Sequence, residues 1–245
     1  MPTRCCIGLG GNLNGVEAAF QQAVDRLQHS GFSVLAVSSV HRTPPMGASA
    51  GGEFLNAAAM LSTSLSAKDT LAALHHTEAA AGRTRHRRWE PRPLDLDLLL
   101  FGDDVCDSGD LVVPHPALWY RRFVLDPMSE IAADVIHPVF RLSIAELRNR
   151  LLRRPLIFEI EAPNNDPRTL ARIGETNVPD GVRLRASRTS GACDSDVFAK
   201  LRFVNTPADG ATPRTQPRHP QDFVIELPLQ DWQQGLHDVL TAALG

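Results

Sequence analysis

At 245 residues, 43% of them hydrophobic, the chain can bury a full core as one large domain or as a domain with an appendage. A net charge of −3 argues against a general binder of nucleic acid or membrane surfaces, and no apolar run approaches the length that crosses a bilayer. With no signal peptide, and with four cysteines (Cys5, Cys6, Cys106, Cys193) that show neither zinc spacing nor disulfide density, the expected setting is the reducing cytoplasm.

Residues 4–10 read as a buried strand, and Val16, Ala19, Phe20, Ala23, Val24 and Leu27 then recur at helical spacing up to Gly31. The intervening Gly8-Leu9-Gly10-Gly11-Asn12-Leu13 fails the dinucleotide fingerprint, because Leu13 stands where the third glycine belongs, and reads as a tight turn. Residues 32–42 and 54–63 read as two strands separated by a proline- and glycine-rich loop. Ser66, with Asp69 three residues on, opens a helix running to about Ala81, and residues 94–101 make the next strand. The order β-α-β-β-α-β predicts an α+β fold with a ferredoxin-like, split βαβ core and its helices on one face.

Beyond that core, Pro114-His115-Pro116 precedes a short helical region with Arg121 and Phe123. Ser143 and Glu146 then predict a capping box, stapled by Leu142 and Leu147, at the start of a further helix. A first domain over 1–154 and a C-terminal extension over 155–245 are expected. The extension holds half of the chain's 18 prolines, which separate apolar runs at 156–160, 182–186, 197–204 and 223–229. Trp232, Leu236, Val239, Leu240 and Ala243 close the chain at helical spacing. The extension reads as a small, loop-rich β appendage without repeats or a catalytic constellation.

The densest chemistry lies at 82–97, where Arg83, Arg85, Arg87, Arg88 and Arg92 stand just before Asp95 and Asp97. On a strand, alternation puts Asp95 and Asp97 on one face, about 6 to 7 Å apart, and Leu94, Leu96, Leu98 and Leu100 on the other. Such a carboxylate pair can share hard cations, while the arginines would grip phosphate oxygens in bidentate forks. Of the 25 lysine and arginine residues only Lys68 and Lys200 are lysines, and neither follows a glycine, so a P-loop is excluded. An exposed Asp-x-Asp face and a nucleic-acid-binding arginine stripe are the competing readings of this segment.

Several separated motifs resemble, in order and spacing, the 6-hydroxymethyl-7,8-dihydropterin pyrophosphokinases of folate synthesis. They are Gly10-Gly11-Asn12-Leu13, Thr43-Pro44-Pro45-Met46-Gly47, Phe54-Leu55-Asn56, then Glu78, Gly82-Arg83, Arg85, Arg88-Trp89, Pro91-Arg92 and Leu94-Asp95-Leu96-Asp97, and last Pro114-His115-Pro116 with Arg121-x-Phe123-Val124-Leu125. The resemblance runs from about Ile7 to Pro138. Glu90 departs from it where the family carries glycine, as does Pro93 where threonine is common.

The resemblance implies transfer of pyrophosphate from ATP to the hydroxymethyl oxygen of the reduced pterin, with release of AMP. It implies two Mg²⁺ ions on Asp95 and Asp97, and Arg83 and Arg92 as the groups that stabilise the transferred charge. Glu78, Arg85, Trp89, His115 and Arg121 would bind ATP, and Thr43, Pro44, Met46, Phe54, Asn56 and Phe123 the pterin. The implied partners are these two substrates, with other folate-pathway enzymes as docking candidates, and with neither nucleic acid nor membrane. A monomer is expected. A slow or inactive relative acting as a nucleotide- or pterin-binding module is the alternative.

Overall fold

The computed structural model describes residues 1–13, 15–44, 52–82, 93–161, 176–187, 196–204, 223–228 and 232–245. Its first sheet is antiparallel throughout: β1 (Thr3–Gly11) is central, with β5 (Asp95–Phe101) on one side and β4 (Phe54–Thr63) on the other. Beyond β4 lie β2 (Phe32–Val37) and the short β3 (His41–Thr43), both paired to it. The single strand expected over 32–42 is therefore broken. At the break the Ser38 hydroxyl accepts from Ala58 N at 2.9 Å and so replaces a ladder carbonyl.

Alternation along these strands serves two cores. Cys5, Ile7 and Leu9 of β1, with Ala57, Ala59 and Leu61 of β4, face α1 (Val16–His29) and α2 (Ala67–Ala80). Cys6, Ala58 and the half-buried Met60 face the other way. Burial pushes the Cys5 thiol up to about 12 and the Cys6 thiol to about 11, so both stay protonated core side chains. The leucines of β5 obey the same rule only as far as Leu98. A register shift between Cys6 and Ile7 leaves an extra residue on β5, so Leu99 and Leu100 both join the second core, against the expectation for Leu100. Gly11 ends β1 where a Cβ would meet the Pro93 carbonyl oxygen at 2.8 Å, so only glycine fits there.

After a small hairpin, β6 (Cys106–Ser108) and β7 (Leu111–Val113), a 3-10 turn at Leu118–Tyr120 leads into α3 (Arg122–Ile131), which lies across β4. The next helix, α4 (Ile144–Leu152), begins with the expected capping box: Ser143 Oγ accepts from Glu146 N at 3.2 Å, and Ser143 N donates to Glu146 Oε2 at 2.7 Å. Asp126 joins the two helices by accepting from Arg122 at 3.0 Å and Arg148 at 2.6 Å.

The apolar runs of the extension become β8 (Leu156–Glu161), β9 (Val182–Ala186), β10 (Val197–Val204) and β11 (Val224–Pro228), and the closing pattern becomes α5 (Trp232–Leu244). The four strands form a parallel sheet in the order β11-β10-β8-β9. One face, with Leu156, Phe158, Leu201 and Ile225, enters the same core as α3 and α4. Trp119 is the hub there, with ring centroids of Phe140, Phe198 and Phe223 at 5.5, 5.7 and 5.4 Å. The other face carries Glu161, Lys200 and Arg202, with Glu161 2.9 Å from Arg202 and 3.6 Å from Lys200. This core runs unbroken across position 154.

Candidate active site

On the side of β1 that faces α3, Cys6 is followed by Gly8 and Gly10, and the apolar floor gives way to bare backbone. Gly8 lies opposite Asp97, and Gly10 lies between Asn56 and Asp95. A Cβ on Gly10 would stand 3.5 Å from Asn56 Oδ1 and 3.8 Å from Asp95 Cβ, and one on Gly8 would meet Leu99 Cδ1 at 3.5 Å and Asp97 Cβ at 3.8 Å. Gly8 and Gly10 are half-buried, so on this side of the sheet the Asn56 amide on β4 and the two carboxylates on β5 flank a strip of β1 that carries no side chains, the channel of the site. The run Gly8-Leu9-Gly10 carried this information as a period-two glycine pattern on a strand, and reading it as turn chemistry missed it.

Asp95 and Asp97 are half-buried on one face, with Leu94, Leu96 and Leu98 buried on the other. Among the described residues no three His, Cys, Asp or Glu side chains close on one point. The aspartates thus form an open, partial set of hard oxygen donors that suits Mg²⁺, which keeps positions for phosphate oxygens and water. Their strand is an edge strand, and Glu78 covers that edge: its Oε1 accepts from Leu96 N at 2.8 Å. Glu78 is only 2% exposed, whereas an ordinary residue of its type near a helix end would be solvated.

Glu78, Asp95, Asp97 and His115 line one cavity of about 290 Å³, together with His75 and Asp110, which the sequence did not single out. The backbone N–H of Ala117 donates to His115 Nδ1 at 3.1 Å, which puts the ring hydrogen of the neutral imidazole on Nε2. Burial, and secondarily the nearby Arg121 charge, outweigh the pull of Asp97 and bring the His115 pKa down to about 4. At neutral pH the ring is an uncharged donor. Arg121 packs its guanidinium 5.5 Å from the Phe123 ring, and its Nε is buried with no hydrogen-bond partner among the described residues. A buried cationic N–H left without a partner is costly, and a negative charge brought near the guanidinium would offset that cost.

Across the channel, Asn56 is 7% exposed and donates from Nδ2 to Thr43 Oγ1 at 2.8 Å, which orients its amide with Oδ1 over Gly10. Phe54 pairs with Thr43 at the start of β4 and is half-buried, as is Phe123; Pro44 is exposed. Thr43, Phe54, Asn56 and Phe123 do not line the cavity below Glu78, so the described residues separate into a carboxylate and histidine side and an amide and aromatic side. Met46, Arg83, Arg85, Trp89, Glu90 and Arg92 lie outside the described residues.

Curated relatives carry the name 2-amino-4-hydroxy-6-hydroxymethyldihydropteridine pyrophosphokinase. The one from Bacillus subtilis (strain 168) is 42% identical over 130 residues, covering 53% of this chain and 78% of its own length. The one from Pseudomonas aeruginosa is 38% identical over 139 residues, covering 56% and 86%. A solved Plasmodium falciparum HPPK-DHPS chain, with pterin and p-hydroxybenzoate, aligns over 98% of this chain and 62% of its own at 11% identity, with a TM-score of 0.48. The model of the family 7,8-dihydro-6-hydroxymethylpterin-pyrophosphokinase (HPPK) matches residues 6–133, and the chain belongs to that family.

Proposed function

We infer that the protein transfers pyrophosphate from ATP to 6-hydroxymethyl-7,8-dihydropterin and releases AMP, a step of folate synthesis. The observation that carries this at the site is the glycine-floored channel, with Asp95 and Asp97 on one wall and the oriented Asn56 amide on the other. A flat heterocycle fits over Gly10, where Asn56 can pair with its polar edge and Phe54 and Phe123 can stack on its faces. Pyrophosphoryl transfer needs in-line positioning and neutralised oxygens and no covalent nucleophile. His115 donates Nε2–H to a phosphate oxygen, and the half-buried Arg121 guanidinium offsets the negative charge. Glu78 holds β5 and so sets the direction of the two aspartates, beside the ATP contact that the family resemblance implies for it.

Asp95 and Asp97 would hold two Mg²⁺ ions, which when bound would neutralise phosphate charge and acidify the pterin hydroxyl. Arg83, Arg85, Trp89 and Arg92 complete the phosphate and nucleotide contacts, and Thr43, Pro44 and Met46 the pterin contacts. The catalytic unit spans 1–154, its core of the ferredoxin-like type, a reading supported by the strand order β2-β4-β1-β5; 155–245 is an extension. The protein acts as a cytoplasmic monomer. The purified chain, given ATP, Mg²⁺ and the reduced pterin, forms AMP; ADP as the nucleotide product, or AMP without pterin, overturns the reading.

A further inference from the structure

Strand β3, which ends in Thr43, is only three residues long and, among the described residues, its ladder runs to β4 alone. A strand that short holds its position weakly by backbone bonds. One carboxylate of α3 grips it. Glu130 accepts from Ser39 N at 2.7 Å through Oε2, and through Oε1 it accepts from Ser39 Oγ at 2.7 Å and His41 Nε2 at 2.6 Å. The break between β2 and β3 makes this grip available, because Ser38 already satisfies the ladder at Ala58 and the next backbone N–H turns to Glu130.

Geometry links the grip to the channel at both ends. His41 and Thr43 share one side of β3, half-buried, while Arg42 between them is exposed. Phe123 and Glu130 stand seven residues apart on α3, about two turns and hence on one side. The helix that carries Phe123 therefore holds the strand that carries Thr43, and Thr43 in turn holds the Asn56 amide. Serine, histidine and a carboxylate also build hydrolytic triads, but here the hydroxyl donates to the carboxylate and lies 3.4 Å from the imidazole nitrogen, so no base activates the serine.

We propose that Glu130, acting through Ser39 and His41, is a positioning residue for the pterin side of the site: it sets the distance between Thr43 with Asn56 and Phe123. This rests on the pyrophosphokinase reading above. Glu130 lies outside the channel, and its side chain is 37% exposed, so its loss changes placement of the wall more than stability of the fold.

Steady-state kinetics and melting of the full chain test it with Glu130→Ala, Glu130→Gln and Ser39→Ala. Glu130→Ala raises the KM for the pterin about tenfold, keeps the KM for ATP within about twofold, and moves Tm by less than about 3 °C. Glu130→Gln, which still accepts the Ser39 N–H, recovers part of that loss, and Ser39→Ala shows the smallest rise. An unchanged pterin KM in Glu130→Ala, equal rises in both KM values, or a large fall in Tm overturns the proposal. If the wild-type chain forms no AMP, the pyrophosphokinase reading fails separately. Equilibrium binding of the same pterin to wild type and Glu130→Ala then decides the positioning role: weaker binding by the variant supports it, and equal binding or none by either overturns it.

Discussion

The two faces of the antiparallel sheet are built from the same three strands and differ in what they leave out. Towards α1 and α2, the inward positions of β1, β4 and β5 are nearly all apolar, from Cys5, Ile7 and Leu9 to Leu96, Leu98 and Phe101, and the face is closed. Towards α3, the same strands begin as core, with Cys6, Ala58, Leu99 and Leu100, and end as a polar channel with Gly8, Gly10, Asn56, Asp95 and Asp97. A site can thus be made by stopping a core part-way along a sheet. Glycine removes the floor, and aspartate replaces leucine at the edge, while the opposite face supplies the burial that keeps the strands in place.

The largest effect on this contrast comes from Asp97→Asn. It removes a charge from the open face and no buried contact, so AMP formation falls by roughly a hundredfold or more while Tm holds or rises slightly. A clear loss of Tm with activity retained would make the carboxylate part of the core after all. Next comes Phe223→Ala, in the core that α3 and α4 share with the parallel sheet, where Phe223 stacks on Phe140 at 4.4 Å and lies under the Arg150 guanidinium at 3.9 Å. We expect a loss of about 3 to 5 kcal/mol, with one unfolding transition for both sheets. Truncation after Arg154 strips Trp119 of two aromatic neighbours, Phe198 and Phe223, and should cost at least as much; in the full-length variant, two separate transitions would show that the sheets fold independently.

A smaller change sharpens the same comparison from within the channel. Gly10→Val suits a strand and meets only ordinary contacts at its Cβ, so the fold survives, but its methyl groups occupy the floor between Asn56 and Asp95. The pterin KM should rise about tenfold or more with little change in Tm. Valine at an already closed position, Ala59→Val, should instead overpack the α1 face and lower Tm.

The last effect is one of pH and leaves activity aside. His137 is 1% exposed, its Nδ1 accepts from Val139 N and Phe140 N at 3.3 Å, and burial brings its pKa down to about 4. Because the unfolded chain binds that proton near its ordinary value of 6.5, stability rises with pH between about 4 and 6.5 and is level above. The slope is at most about 1.4 kcal/mol per pH unit for this group. Denaturant midpoints across that window check it, and His137→Gln should reduce the slope to the part that His115 contributes over the same range; an unchanged slope would assign it to other groups.

Local signals carried much of this. Periodicity located the helices and strands, the Ser143 and Glu146 pair placed a cap, and alternation put Asp95 and Asp97 on one face, because each depends on neighbours within a few residues. The register shift that sends Leu100 to the second core was not legible, since it exists only in the pairing of β5 with β1. Nor was the break at 38–40, which depends on Ala58 and Glu130, or the burial of Glu78, which depends on an unpaired N–H of an edge strand.

By itself the sequence determined the elements, the family and the residue types that phosphate and pterin chemistry require, because motifs and periods are properties of order along the chain. Only the tertiary structure decided that two strand glycines make a floor between an amide and two carboxylates, that an acid on α3 grips β3, and that the C-terminal strands run parallel in the core of α3 and α4. These are relations between residues distant in sequence. They follow from which surfaces are buried against one another, and strand order and register set them jointly.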